Sequence, residues 1–291
     1  MTLSKKLNYI FWSSRPISWV NTAYPFAAAY FMATKKIDLT FILGTIFFLI
    51  PYNLLMYGIN DVFDYESDLR NPRKGGIEGA LLPKEIHRTI IWSAILSCVP
   101  FVIYLIAVGN LNSSLWLALF VFTVIAYSAK HLRVKEKPVL DSITSASHFV
   151  GPMIFGLALT NQNLADQKIS AIILAFTLWG MASHAFGAVQ DVKADREGNI
   201  SSIATYFGAR NTTRVALVMY LAAGFYLVTL GWWTNLVAIA ALPYVAILIP
   251  HLNITDETCE SANKGWKRFI YLNFFAGFLV TMVLIFTALT S

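Results

Sequence analysis

Apolar runs, each closed by charged or turn-forming residues, recur along the whole chain. A helix needs about 20 predominantly apolar residues to cross a bilayer. Read on that scale, the pattern predicts nine spans: 17–34, 39–63, 88–108, 112–129, 139–160, 169–190, 212–232, 235–250 and 268–289. The loops between them are short, so the expected architecture is all-α: one integral membrane domain over residues 1–291, a bundle of nine transmembrane helices. Lys5 and Lys6 before the first run, with Ala27 to Ala29 inside it, resemble a signal peptide. Arg15, Pro16 and Asn21 interrupt that pattern and eight further runs follow, so the segment reads as a retained helix.

Composition agrees: 57% of residues are hydrophobic, 13% are charged, and the mean hydropathy is +0.59. With the N-terminus in the cytoplasm and the C-terminus outside, only Lys35, Lys36 and Lys168 of the 22 Lys and Arg fall outside. That asymmetry supports this orientation in the cell membrane. The net charge of +6 then reads as cytoplasmic-face basicity, suited to anionic lipid or an anionic substrate rather than nucleic acid. Cys98 and Cys259, the two cysteines, imply no disulfide framework.

The scarce carboxylates are concentrated. The stretch GINDVFDYESDLRNPRKGG, 58–76, ends the second run and places Asn60, Asp64 and Asp68 at i, i+4, i+8, with Asp61 beside them. A helix continuing past the membrane surface lines these up as one stripe. AVQDVKADREGN places Asp191 and Asp195 at i, i+4 after the sixth run, on the same side. Like charges at i, i+4 and acids at a helix C-terminus both cost stability. Stability therefore does not explain them. Two carboxylate pairs with an amide make a hard oxygen donor set for Mg²⁺, which shares its remaining positions with water and substrate phosphate. Basic groups crowd the same face: Arg73 and Lys74 beside Gly75 and Gly76, then Lys130, Arg133, Lys135 and Lys137, then Arg196 and Arg210. Acids that bind metal beside cations that bind phosphate suggest a metal-bridged diphosphate.

These residues resemble the UbiA-type intramembrane prenyltransferases. Asn60, Asp61, Asp64 and Asp68 match an NDxxDxxxD motif, Asp191 and Asp195 a DxxxD motif. Ser14, Arg15 and Pro16 before the first span, and Tyr127-Ser128 with Arg133 and Lys135 after the fourth, are also similar to family features. The resemblance implies a helical bundle with a cytoplasmic-side cap over a central cavity, in which Mg²⁺ binds an allylic diphosphate. It implies Asn60, Asp64 and Asp68, with neighbouring Asp61, at one ion and Asp191 and Asp195 at the other. Arg15, Arg73, Lys74, Arg133 and Lys135 would hold diphosphate oxygens, with Tyr127 near the leaving group. Ionisation would leave an allylic cation that must be kept from water, and Trp19, Tyr24, Tyr52 and Tyr57 are candidates to steady it.

The stretches NPRKGGIEGALLP, 71–83, and SSRPISWVNTAYPFAAAY, 13–30, are more similar to the bacterial lycopene elongase branch than to the quinone-pathway members. That implies dimethylallyl diphosphate as donor and lycopene as acceptor, extending a C40 carotenoid toward C45 and C50. Attack leaves a tertiary cation that loses a proton or captures water; His184 in the sixth span and Glu78 in the loop are the candidate bases, while Asp141 and His148 are the ionisable groups of the fifth. The alternatives are prenylation of an aromatic or other isoprenoid acceptor by the same machinery, and a membrane transporter. Transporters place ionisable groups near the midplane, whereas these acids cluster at one surface. Spans two and six share one weak echo, an amide followed by aspartate: Asn60-Asp61 and Gln190-Asp191.

Overall fold

The computed structural model describes residues 1–69 and 81–290, in which helices joined by short loops and turns are the regular structure and there is no strand. Helices α1 (Leu3–Ser13), α2 (Trp19–Thr34) and α3 (Leu39–Leu49) open the chain. A turn at Pro51–Asn53 and a π turn at Leu54–Gly58 lead into α4 (Ile59–Phe63) and α5 (Tyr65–Asp68). Then come α6 (His87–Val108), α7 (Leu111–Ser128), α8 (Leu140–Leu159), α9 (Gln167–Val189), α10 (Val192–Glu197) and α11 (Ile203–Phe207). Helices α12 (Ala209–Val228), α13 (Trp232–Ile239), α14 (Ala241–Leu248) and α15 (Asn263–Thr290) complete it.

Among the described residues eight segments are long and apolar enough to cross a membrane, and they follow the predicted runs from 39–63 onward to within a few residues at most ends. The two larger departures are both at helix starts: Ile203–Val228 and Cys259–Thr290 begin nine residues ahead of expectation. The first expected span, 17–34, is helical along its whole length: a 3-10 turn at Pro16–Ser18 runs directly into α2. All nine expected runs are therefore helical, and eight of them are segments long and apolar enough to cross a membrane among the described residues. Polar starts are capped: the Asp38 carboxylate accepts the Phe41 N–H at 2.9 Å, and Asn110 and Ser113 form a reciprocal capping box.

The chain forms two compact units, 1–134 with 148–162, and 135–147 with 163–291. The first is centred on buried rings, Phe26, Phe47, Phe48, Tyr52 and Phe155. Gly44 makes that packing possible, because a Cβ there would stand 2.2 Å from Phe26 Cζ. The second is centred on Phe186, Tyr220, Tyr244 and Phe269. There the Ser183 and Tyr220 hydroxyls meet at 2.9 Å, and Gly180 lies so close to Ala146 that a Cβ would approach it to 2.9 Å. Leu96, Ile103 and Leu115 in one unit, and Phe225, Phe274 and Phe278 in the other, stand exposed. Side chains of that size are stable facing lipid, and the chain is an integral membrane protein.

Candidate active site

The second span does not run straight into its acidic motif. Pro51 has no N–H to continue the helix, and the interrupted carbonyls are satisfied by Asn53, whose amide donates to Phe48 O at 2.8 Å, Leu49 O at 3.1 Å and Thr22 Oγ1 at 2.6 Å. Thr22 in turn donates to Phe48 O at 2.6 Å. Without water in the bilayer, such partners are what make the break tolerable. The π turn that follows shifts the register of everything beyond it.

The motif itself bends at Asp64, whose φ and ψ of −96° and 0° lie outside the helical well. The ladder persists through the bend: the Asp64 N–H donates to Asn60 O at 2.9 Å and the Asp68 N–H to Asp64 O at 2.8 Å. Asn60, Asp64 and Asp68 therefore keep the i, i+4, i+8 relation. Asp61, Asp64 and Asp68 are all buried. The Asn60 amide donates to Asp64 Oδ2 at 2.9 Å, while its carbonyl oxygen is buried and accepts no hydrogen bond among the described residues.

Among the described residues, Arg15 and Arg133 reach these acids. Arg15 Nη2 donates to Asp61 Oδ1 at 2.8 Å, and Arg133 Nη2 lies 3.7 Å from Asp64 Oδ1. Both arginines occupy left-handed backbone, φ 50° and 37°, which costs an L-residue roughly 1–2 kcal/mol. Such strain persists where surrounding contacts over-determine it, as at functional sites. Burial opposes the charge on Arg15 and Asp61 more than offsets it, so the guanidinium is held above its ordinary range. The Arg15 guanidinium also lies 4.4 Å over the Tyr57 ring. Of the rings expected to steady a cation, Tyr57 thus faces Arg15, Trp19 donates its indole N–H to Ser14 O at 3.0 Å, and Tyr52 is packed among Phe47 and Phe48.

The second motif repeats the local device. Asp191 has φ and ψ of −98° and −7°, and the Asp195 N–H donates to Asp191 O at 2.8 Å. By backbone, then, Asp64 corresponds to Asp191 and Asp68 to Asp195. The register of the sequence echo is different: four residues before Asp191 stands Gly187, not an amide. Gln190 is buried, donating to Gly187 O at 3.0 Å and accepting from Asn263 at 2.6 Å. Its role is to hold the end of α9 to the start of α15. Arg196 is similarly engaged, with Asp256 at 2.6 Å and Thr205 O at 3.2 Å.

Elsewhere, Tyr127 and His148 meet edge to face at 5.2 Å, and His184 Nε2 lies 3.5 Å from Asp141 Oδ2. Lys135 is half-buried. Arg73, Lys74 and Glu78, with Gly75 and Gly76, lie outside the described residues. Sequence reasoning missed the Thr22–Asn53 network and the contacts of Asp141; Pro51 and an aspartate in the first turn of an apolar helix were the available signals.

The donor set fits Mg²⁺. Every motif ligand is an oxygen, and the Asn60 carbonyl is the atom of its amide left to bind a cation. Among the described residues no three His, Cys, Asp or Glu side chains converge to hold a metal.

Two acidic motifs on bent span ends, within an all-helical membrane protein, are the frame of an intramembrane prenyltransferase, and the sequence profile agrees. The chain belongs to the UbiA prenyltransferase family, whose sequence profile matches residues 22–275. It is 52% identical over 283 residues to a lycopene elongase/hydratase of Corynebacterium glutamicum, covering 97% of this chain and 98% of that protein. It is 53% identical over 284 residues to the C(50) beta-cyclic carotenoids biosynthesis protein LbtBC of Dietzia sp., covering 97% of this chain but 66% of that longer protein. Its fold is similar to that of a UbiA homolog from Archaeoglobus fulgidus bound to DMAPP and Mg²⁺, with a TM-score of 0.64 at 18% identity over 90% of this chain and 96% of the other.

Proposed function

We propose that this protein transfers a dimethylallyl group from dimethylallyl diphosphate to lycopene, extending the C40 carotenoid toward C45 and C50. The observation that carries the reading is the 52% identity to the Corynebacterium lycopene elongase/hydratase along nearly the full length of both chains. The A. fulgidus homolog with DMAPP and Mg²⁺ supports the donor and the ion. In this reading Asn60, Asp64 and Asp68 hold one Mg²⁺, and Asp191 and Asp195 hold another. Bound Mg²⁺ neutralises charge on the departing diphosphate.

The chain's own residues do the rest. Arg15, Arg133 and Lys135, with Arg73 and Lys74, bind diphosphate oxygens, and Tyr127 lies near the leaving group. Asp61 acts through Arg15, orienting a guanidinium whose charge is already present when the donor arrives. The apolar surroundings exclude water until the terminal alkene of lycopene attacks the allylic cation. The N-terminus and the active site face the cytoplasm, where the diphosphate is available, and the C-terminus lies outside.

Mass analysis of pigment formed by membranes carrying the protein, supplied with lycopene, dimethylallyl diphosphate and Mg²⁺, tests this. Additions of one and two C5 units are expected, and chelation of Mg²⁺ abolishes them. Unchanged lycopene with diphosphate still released would move the acceptor to an aromatic or another isoprenoid molecule.

A further inference from the structure

The reaction proposed above ends with a proton to be removed, and the second unit contains a pair of side chains built to take it. Asp141 is completely buried. Its Oδ1 accepts the Ser142 N–H at 2.7 Å and its Oδ2 the Ile203 N–H at 2.7 Å. Two backbone donors from separate elements lock this carboxylate in place. The same Oδ2 lies 3.5 Å from His184 Nε2. A fixed carboxylate at that distance holds the imidazole ring in one place and stabilises positive charge on it.

His184 is not sealed in the core: 18% of its side chain remains accessible. On α9 it belongs to a face of partly accessible residues, Thr177, Met181, His184 and Ala188, that continues to Asp191. The neighbouring Ala182, Ser183, Ala185, Phe186 and Val189 are buried. Residues at i and i+7 share a face and stand about 10 Å apart along a helix. His184 thus lies about two turns deeper than the motif aspartate, on the same side of the helix, with only the small Gly187 and Ala188 between them on that face. In the prenyl-transfer reading, a donor held by its diphosphate at Asp191 would carry its hydrocarbon toward the depth of His184.

We infer that His184 accepts the proton released when the elongated carotenoid cation is quenched, and that Asp141 is the positioning residue that holds its ring and balances the charge it gains. This rests on the prenyl-transfer reading. The π pair of the terminal lycopene alkene forms the new C–C bond to C1 of the dimethylallyl cation, whose C–O pair has left with the diphosphate. The resulting tertiary cation then follows one of two routes. A C–H bond next to it gives its electron pair to a new C=C and its proton to the imidazole, or a water oxygen adds and gives up its proton to the imidazole, leaving an alcohol. Either way one proton reaches the imidazole, and charge balances.

The test compares the native protein with His184→Gln, His184→Ala and Asp141→Asn, in membranes with lycopene, dimethylallyl diphosphate and Mg²⁺. The readouts are C45 and C50 pigment, the ratio of alkene to alcohol product, and the KM for the donor. General-base contributions run to about 10²–10⁴-fold. We expect His184→Gln to lose about 100-fold in pigment formation with an unchanged donor KM, and added imidazole to restore His184→Ala. Asp141→Asn loses less, about 10-fold, and shifts the product ratio. Pigment formation by His184→Gln within twofold of native, at the native product ratio, would overturn the assignment. So would a loss matched by an equal rise in donor KM without imidazole rescue, which marks a structural role. Native protein that makes no C45 or C50 pigment overturns the lycopene reading instead, and the inference with it.

Discussion

Removing the carboxylate of Asp61 strands a charge. Arg15 keeps 16% of its side chain accessible and Asp61 none, and Arg15 Nε has no hydrogen-bond partner among the described residues. Breaking a buried pair from one side costs about 3–5 kcal/mol, whereas replacing both partners by apolar groups is often nearly neutral. The residual accessibility and the Tyr57 face place Asp61→Leu near the low end, about 3 kcal/mol. At roughly 2–4 °C per kcal/mol for chains of comparable size, its midpoint for thermal loss of folded protein in detergent falls by roughly 6–12 °C. Arg15→Met alone leaves Asp61 uncompensated and falls similarly. The double variant Arg15→Met/Asp61→Leu returns to within a few degrees of native while remaining inactive, because the diphosphate has lost its guanidinium. Size-exclusion of the protein surviving each temperature measures the cycle. Additive losses in the double variant would refute the argument, since they would mean that the two side chains do not stabilise each other.

Asp68→Asn and Asp191→Asn should each abolish turnover while leaving the thermal midpoint within about 3 °C of native, as expected when the lost role is at the substrate; activity retained in both would remove the acids from the mechanism. Gly44→Ala drives a methyl against the Phe26 ring, itself held by Phe48 at 5.2 Å and Phe155 at 5.9 Å, and should cost about 2 kcal/mol by overpacking; an unshifted midpoint would show that the aromatic cluster yields. Asp256 is partly buried, which opposes its charge, but the Ala209 N–H at 2.6 Å and Arg196 at 2.6 Å prevail and hold its carboxyl below the ordinary range. Its stabilising contribution is therefore complete above the unfolded value, near pH 4, and disappears as pH falls through the lower folded one. The stability gap between native protein and Asp256→Asn should be constant from pH 7 to about 4 and close below; a gap that closes on raising the pH would contradict the sign.

Much of this protein was legible one residue at a time. Hydropathy is local and additive, so most ends of the eight spans from Leu39 onward agree with the apolar runs to within a few residues. The aspartate pairs were legible too, because spacing within a helix is a property of sequence, and their cost there demanded another reason for them. Tertiary structure decided what the charges do. That Arg15 turns left-handed and meets Asp61, 46 residues on, follows from packing between α1, the π turn and α4, and no pattern of single residues encodes it. The register of the motifs depends on Pro51 and the π turn, and so the echo that matched Asn60-Asp61 with Gln190-Asp191 gives way to Asp64 with Asp191. Asp141, one ionisable residue in an apolar run, acquires its meaning only where the fold brings Ile203 and His184 to its oxygens. Burial in a bilayer can be read from composition because lipid acts on each side chain alike; the partner of a buried charge depends on which element packs beside it, and that is a property of the folded chain.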